Sequence, residues 1–403
     1  MSPKISKSRC SSMFEYEFRA YDEKSGIKAG ELITTDFGSI STPTRIMTTK
    51  ELKNISVVKE TGHVDSNIDK ALPYQIFEVT KTFKMSTLKN LKPDKDVFHV
   101  QANKMEPLTE PVQNKLKTFK AIYSQKLRLT KAINEGLLAL QIHAKINLIT
   151  SDIRNHIPLN KVDDWLSHTV DYVTGEIGNL NTAQIIPIVD MNMDEIKFSQ
   201  IIQKILDKDF IGFGVKYVSP FMRIANYRTV RKITKNNPDK FVFMFDVPRK
   251  AMGKNNKFST FHLFQLIGAE GFSLGKNFIP PDVPYSVELE KAKRFDPRNL
   301  AVLTRLEYVK LNKTTQIDDC MVCEGKTINT FFGKYDKWGC LPEAISSHES
   351  ITSYMEFLKS RMSVLQGEFG KYAKSKKIFS QYASKLFGYS PDQSRFQRVR
   401  PVL

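Results

Sequence analysis

The chain lacks several things, and each lack narrows the reading. No apolar run is long enough to span a bilayer. The N-terminal stretch "MSPKISKSRCSSMFEYEF" is basic but has no apolar core, so it does not read as a secretory signal. The expected compartment is therefore the cytoplasm. Cysteine is scarce, with four in 403 residues. In that compartment clustered cysteines point to metal binding or catalysis before disulfides. No Gly-rich phosphate fingerprint follows any expected strand, which weighs against a dinucleotide-binding open sheet. Acidic residues are in deficit, 43 against 61 Lys and Arg, leaving a formal net charge of +18.

Proline is modest at 18, hydrophobic residues make up 41% and charged residues 26%, the composition of a folded globular protein. The length allows one large domain or two ordinary ones. The charge favours a polyanionic partner. Lys and Arg are mixed with aromatics in "FMRIANYRTVRKITKNNPDK" (221–240), "KYAKSKKIFSQYASKLFGY" (371–389) and "SRFQRVRPVL" (394–403). Cations release counterions from phosphates and aromatic faces stack on exposed bases. A soluble protein with a solvated basic face is the plainer alternative.

Three of the four cysteines, Cys320, Cys323 and Cys340, fall close together and are followed by His348. A Cys-x-x-Cys turn supplies two tetrahedral ligands, and a distant pair closes a zinc site. Cys320, Cys323, Cys340 and His348 are the expected ligands of one structural Zn²⁺. Buried thiols that bind nothing are the alternative. His348 opens "HESITSYMEFLKSRMSVLQ", where Ile351, Tyr354, Met355, Leu358, Met362 and Leu365 repeat at helical spacing.

Residues up to about 60 read as strands and turns, 60–110 are irregular, and 111–140 look helical. Short apolar runs then alternate with amphipathic stretches: "KINLITSD", "QIIPIVDMN", "FIGFGVKY", "FVFMFDVPRK" and "GAEGFSL". This rhythm predicts a parallel sheet. The fold class expected is α/β: a TIM-like barrel with an N-terminal β segment over residues 1–310, then a zinc-binding subdomain ending in helices over 311–403. Asp152, Asp190 and Asp246 close three of the runs. At the C-terminal face of a barrel they would converge as acids, bases or nucleophiles. Asx turns and helix caps are the alternative for each alone.

On these residues the chain resembles the tRNA-guanine transglycosylase superfamily, over roughly residues 14–370. Gly30, Gly38, Thr42, Pro43 and Met47 match that family's N-terminal turn, and Cys320, Cys323 and His348 match its zinc spacing. Asp318 stands where the family has another cysteine, and Cys340 or Asp318 would replace it. The resemblance implies exchange of guanine for a 7-deazaguanine such as preQ0 or a derivative, through a covalent aspartate–sugar adduct and a flipped nucleotide. Two registers compete for the nucleophile. Strand counting puts Ser273 there, which implies a catalytically silent nucleic-acid-binding subunit; local similarity around "FMFDVPR" puts Asp246 there. Under the strand-count register the resemblance makes Asp152, counted among the catalytic residues, the aspartate that recognises the base, a further carboxylate handling protons. It gives Asp190, Gly212 and Gly214 base contacts and has Met244 stack on the base. The family's general-base motif is missing, and Glu78, Asp94, Asp96 and His99 are the substitutes on offer. The departures from the tRNA enzymes fit the DNA-directed relatives of phages and bacterial modification islands. DNA is therefore the expected partner, with tRNA the alternative. A homodimer and, for a phage protein, the host cytoplasm are further implications.

Overall fold

The structure is a computed structural model. It describes residues 14–61, 76–124, 126–177, 183–208, 210–249, 257–275, 289–317, 320, 322–323, 327–393 and 396–398. Cys10 and Asp318 lie outside the described residues.

Eight parallel strands close a barrel: β4 (Thr44–Thr48), β5 (Ile76–Thr82), β6 (Leu116–Ile122), β7 (Leu148–Ile153), β8 (Gln184–Asp190), β9 (Gly212–Lys216), β10 (Phe241–Val247) and β11 (Gly271–Leu274). They follow chain order around the ring, and β11 pairs with β4 to close it. The α/β barrel expected from the alternating runs is thus the fold. Strand parity splits the apolar residues into two cores. Inside the barrel sit Ile46, Ile76, Leu116, Leu148, Ile186, Ile188, Phe241, Phe243 and Phe245. Their outward neighbours, such as Ile149, Val189, Val242 and Met244, pack in the core beneath the helices.

Before the barrel come β1 (Phe14–Asp22), β2 (Lys28–Thr34) and β3 (Gly38–Thr42), an antiparallel sheet joined on its β1 edge by β14 (Phe396–Arg398). Phe14, Tyr16, Leu32 and Ile40 join the inner core next to the first residues of the barrel strands. The sheet therefore plugs the N-terminal end of the barrel. A buried polar knot finishes the plug: Glu270 accepts from Tyr16 and from Thr42 Oγ1 (2.8 Å) and is ion-paired with Lys28 (2.8 Å). The opposite, C-terminal mouth is the end at which barrel enzymes hold their active sites.

Residues 111–140 differ from their expected helix. Strand β6 occupies Leu116–Ile122, and the helix begins only at Lys131, capped by Thr130. The strand was hidden because its inward positions are Leu116, Thr118 and Lys120, so a buried lysine interrupts the apolar alternation. The same cause hid β5, whose inward Glu78 is fully buried.

After the barrel, β12 (Lys293–Asp296) and β13 (Ala301–Thr304) form a hairpin, and helix Leu341–Leu365 follows. The division expected at 310/311 falls inside helix Arg305–Asn312. The long helix buries Ile351 and Tyr354 of the face its apolar spacing predicts, together with a polar face beside it. Met355 and Met362 are exposed, whereas Ser347, His348, Glu349, Ser350, Ser353, Glu356 and Ser360 are buried. Small and hydrogen-bonding side chains let this helix lie close against the first barrel strand and the helix Thr49–Glu60. No helix among the described residues is long and apolar enough to cross a membrane.

Candidate active site at the barrel mouth

Two ionic groups meet at the C-terminal mouth. The first joins strands β5, β6, β10 and β11. Lys120 Nζ lies 3.3 Å from Glu78 Oε1 and 2.9 Å from Asp246 Oδ1, and also donates to Leu274 O at 2.9 Å. Ser273 donates to the other Glu78 oxygen, and Thr80 Oγ1 donates to Oε1 at 3.0 Å. Burial pushes the Glu78 carboxyl above its usual range, against the pull of the Lys120 cation and the Ser273 hydrogen bond. The two carboxylates therefore differ in kind: Glu78 is fully buried, whereas 37% of the Asp246 side chain is exposed.

Asp246 reaches this group by a break in its strand. Inward positions on β10 are Phe241, Phe243 and Phe245, so simple alternation would turn Asp246 outward. Its φ is +61°, and the pairing of β10 with β11 shifts between Met244 and Val247. An irregularity of this kind re-aims a side chain, and a left-handed non-glycine residue costs on the order of 1 kcal/mol or more. Gly275 accommodates it: a Cβ there would lie 2.6 Å from Asp246 O.

The second group joins β7 and β9. Asp152 Oδ2 accepts from Lys216 Nζ at 2.5 Å and Tyr123 Oη at 2.9 Å, with Arg154 at 3.7 Å. The Arg154 guanidinium lies over the Tyr123 ring, 4.2 Å from its centroid. Burial raises the Asp152 carboxyl, but Lys216 and Arg154 outweigh it and hold the group below the usual range. A narrow recess beside Tyr123, Asp152, Ile188, Lys216 and Phe245 reaches Lys120 of the first group; Glu78 and Asp246 do not line it.

The other expected site residues lie elsewhere or have simpler roles. Met244 is buried in the core beneath the helices and does not face the mouth. Gly212 starts β9, at the plugged end of the barrel, and a Cβ there would sit 1.8 Å from Phe241 O. Gly214 makes room for the Phe245 ring, 2.7 Å from where a Cβ would lie. Asp190 Oδ1 accepts from Asn192 N at 2.9 Å, an Asx turn at the strand exit. Asp94 and Asp96 are exposed at the start of the helix Asp96–Asn103, and His99 is exposed on it. Asp246 belongs to the seventh barrel strand, and Ser273 holds the inward position on the eighth. Lys120, Lys216, Tyr123 and Arg154 went unread in the sequence because lone cations and a tyrosine carry no motif.

Away from the mouth, Cys320, Cys323 and His348 bring their ligand atoms within 4.8 Å of one another. Nδ1 of His348 lies 3.3 Å from Cys320 Sγ and 3.1 Å from Cys323 Sγ. Its Nε2 lies 2.9 Å from Phe295 O, and with Nε2 as donor the Nδ1 lone pair faces the thiols, with Arg294 Nη2 also 3.4 Å from it. The donor set and tautomer fit a soft or borderline metal ion. Cys340 is not in the group; it precedes the first turn of the long helix as its cap residue. Arg294 Nη2 instead lies 3.0 Å from Cys323 Sγ.

Compared with models of known protein families and with curated proteins, the chain matches none.

Proposed function

We propose that the barrel mouth exchanges a guanine in DNA for a 7-deazaguanine base. The Asp152–Lys216 pair is the observation that carries this reading. Guanine presents two N–H donors beside the O6 acceptor on its pairing edge. A carboxylate with an ammonium 2.5 Å away offers the complementary acceptor and donor side by side. Ile188 and Phe245 line the apolar side of the recess, which must widen to admit the ring. A base can reach this recess only when flipped from its stack.

Asp246 is then the nucleophile. Its carboxylate attacks the sugar C1′, and the C1′–N9 bond breaks with its electron pair leaving on guanine. Glu78, biased toward its protonated form by burial, supplies the proton that the departing base takes up. The incoming base returns a proton to Glu78, attacks C1′ and displaces Asp246. Lys120 holds the two carboxylates in place throughout. The exposed Lys84, Lys126 and Arg128 on the loops after β5 and β6 would meet phosphates. A zinc ion held by Cys320, Cys323 and His348 would cross-link their loop to the long helix; a closed structural site takes a fourth ligand, for which the sequence offers Asp318.

Ser273 on the eighth strand favours a second reading, a silent binding subunit. The test uses duplex DNA and bulk tRNA carrying labelled guanine, with a 7-deazaguanine added. Label released from DNA and abolished in Asp246→Ala supports the proposal. Release from tRNA alone moves the substrate to tRNA. Tight DNA binding without release supports the silent subunit.

A further inference from the structure

Three consecutive residues of the long helix point in three directions, because successive side chains are about 100° apart. His348 enters the Cys/His group. Ser350 Oγ donates to Glu51 Oε1 at 3.0 Å, and Glu51 in turn binds Arg45 of β4. Between them, the buried Glu349 is ion-paired with Arg249, three residues beyond Asp246. Arg249 also donates to Lys293 O at 3.1 Å, next to the Arg294 that touches Cys323. Thr260 donates to Pro248 O on the same exit segment.

We infer that Glu349 is a positioning residue for Asp246, acting through Arg249; this rests on the base-exchange reading of the mouth. Asp246 sits in a left-handed conformation, which costs a non-glycine residue free energy even though aspartate tolerates it better than most. Something must hold the exit of β10 against relaxation toward ordinary extended backbone. The main-chain bonds there, Tyr217 N to Phe245 O and Gly275 N to Val247 O at 2.8 Å each, fix the residues on either side of Asp246. The Arg249–Glu349 pair fixes the segment beyond them to a rigid, buried helix. A nucleophile misplaced by about 1 Å loses on the order of a hundredfold in rate.

The test uses the full-length protein with Glu349→Ala and Glu349→Gln. Glu349→Gln keeps the size and one hydrogen-bond acceptor and guards against a variant that fails to fold. Covalent adduct formation on duplex DNA is expected to slow by about a hundredfold in Glu349→Ala and less in Glu349→Gln, with DNA affinity unchanged. Amide exchange over residues 245–249 is expected to rise about tenfold, with β5 and β6 unchanged. Unchanged exchange at 245–249, or a rise spread evenly over the barrel, overturns the inference. So does a loss confined to DNA affinity. If the wild type makes no adduct, the base-exchange reading fails, and the exchange measurement alone decides whether Glu349 fixes Asp246.

Discussion

Replacing Lys120 with methionine tests the ionic core of the mouth. Methionine keeps much of the volume and removes the cation that, among the described residues, Glu78 and Asp246 share. Asp246 is partly in water and loses little. Glu78 is fully buried, and an unpaired ionised carboxylate there would cost several kcal/mol. Taking up a proton limits that cost. Holding a carboxyl of ordinary value 4.5 protonated at neutral pH costs about 3 kcal/mol, at roughly 1.4 kcal/mol for each pH unit. Wild-type Glu78 already bears part of this, so Lys120→Met is expected to lose about 1–3 kcal/mol at neutral pH. The sign follows from the raised carboxyl: the folded state binds more protons than the unfolded one, so stability falls as pH rises above 4.5. The gap between variant and wild type should therefore shrink as pH falls toward 4.5. Urea unfolding across a pH series measures it. An equal loss at acid and neutral pH, or no loss at all, refutes the reasoning.

Other outcomes follow from the same geometry. Asp152 is held low by Lys216 and Arg154, so it contributes stability above its ordinary value of 3.8 that is lost as pH falls below it. Asp152→Asn should remove that acid-sensitive part in unfolding titrations. The same variant should weaken guanine binding about a hundredfold in competition assays, since an amide leaves one of the base's donors unpaired. Metal analysis of the purified protein should find one ion per chain, lost in Cys323→Ser and kept in Cys340→Ser; the reverse pattern would restore Cys340 as a ligand.

The barrel was legible because its late strands are short apolar runs with helices between them, and β7 through β11 fall on those runs. Strands β5 and β6 were not legible. Glu78 and Lys120 occupy inward positions where a periodic reading expects apolar residues, so the buried ion pair erased the signal of the strands that carry it. The Cys320–Cys323–His348 group was readable from spacing alone, since ligand spacing reflects local loop geometry. Cys340 was misplaced because nearness in sequence did not bring its thiol to the group. Met244 was misread for a different reason: strand parity decides which side of the barrel a residue faces, and the inward phenylalanines fix that parity. Asp246 escapes the same parity only through its left-handed backbone, which an aspartate tolerates better than most residues but does not by itself announce.

Trapping the covalent intermediate tests the central claim most directly. Guanine-containing duplex DNA is incubated with the protein without an incoming base, quenched in denaturant and digested, and the cross-linked peptide is identified by mass spectrometry. The account predicts a sugar adduct on Asp246, absent in Asp246→Asn. An adduct on another residue, or label release undiminished in Asp246→Asn, would contradict it.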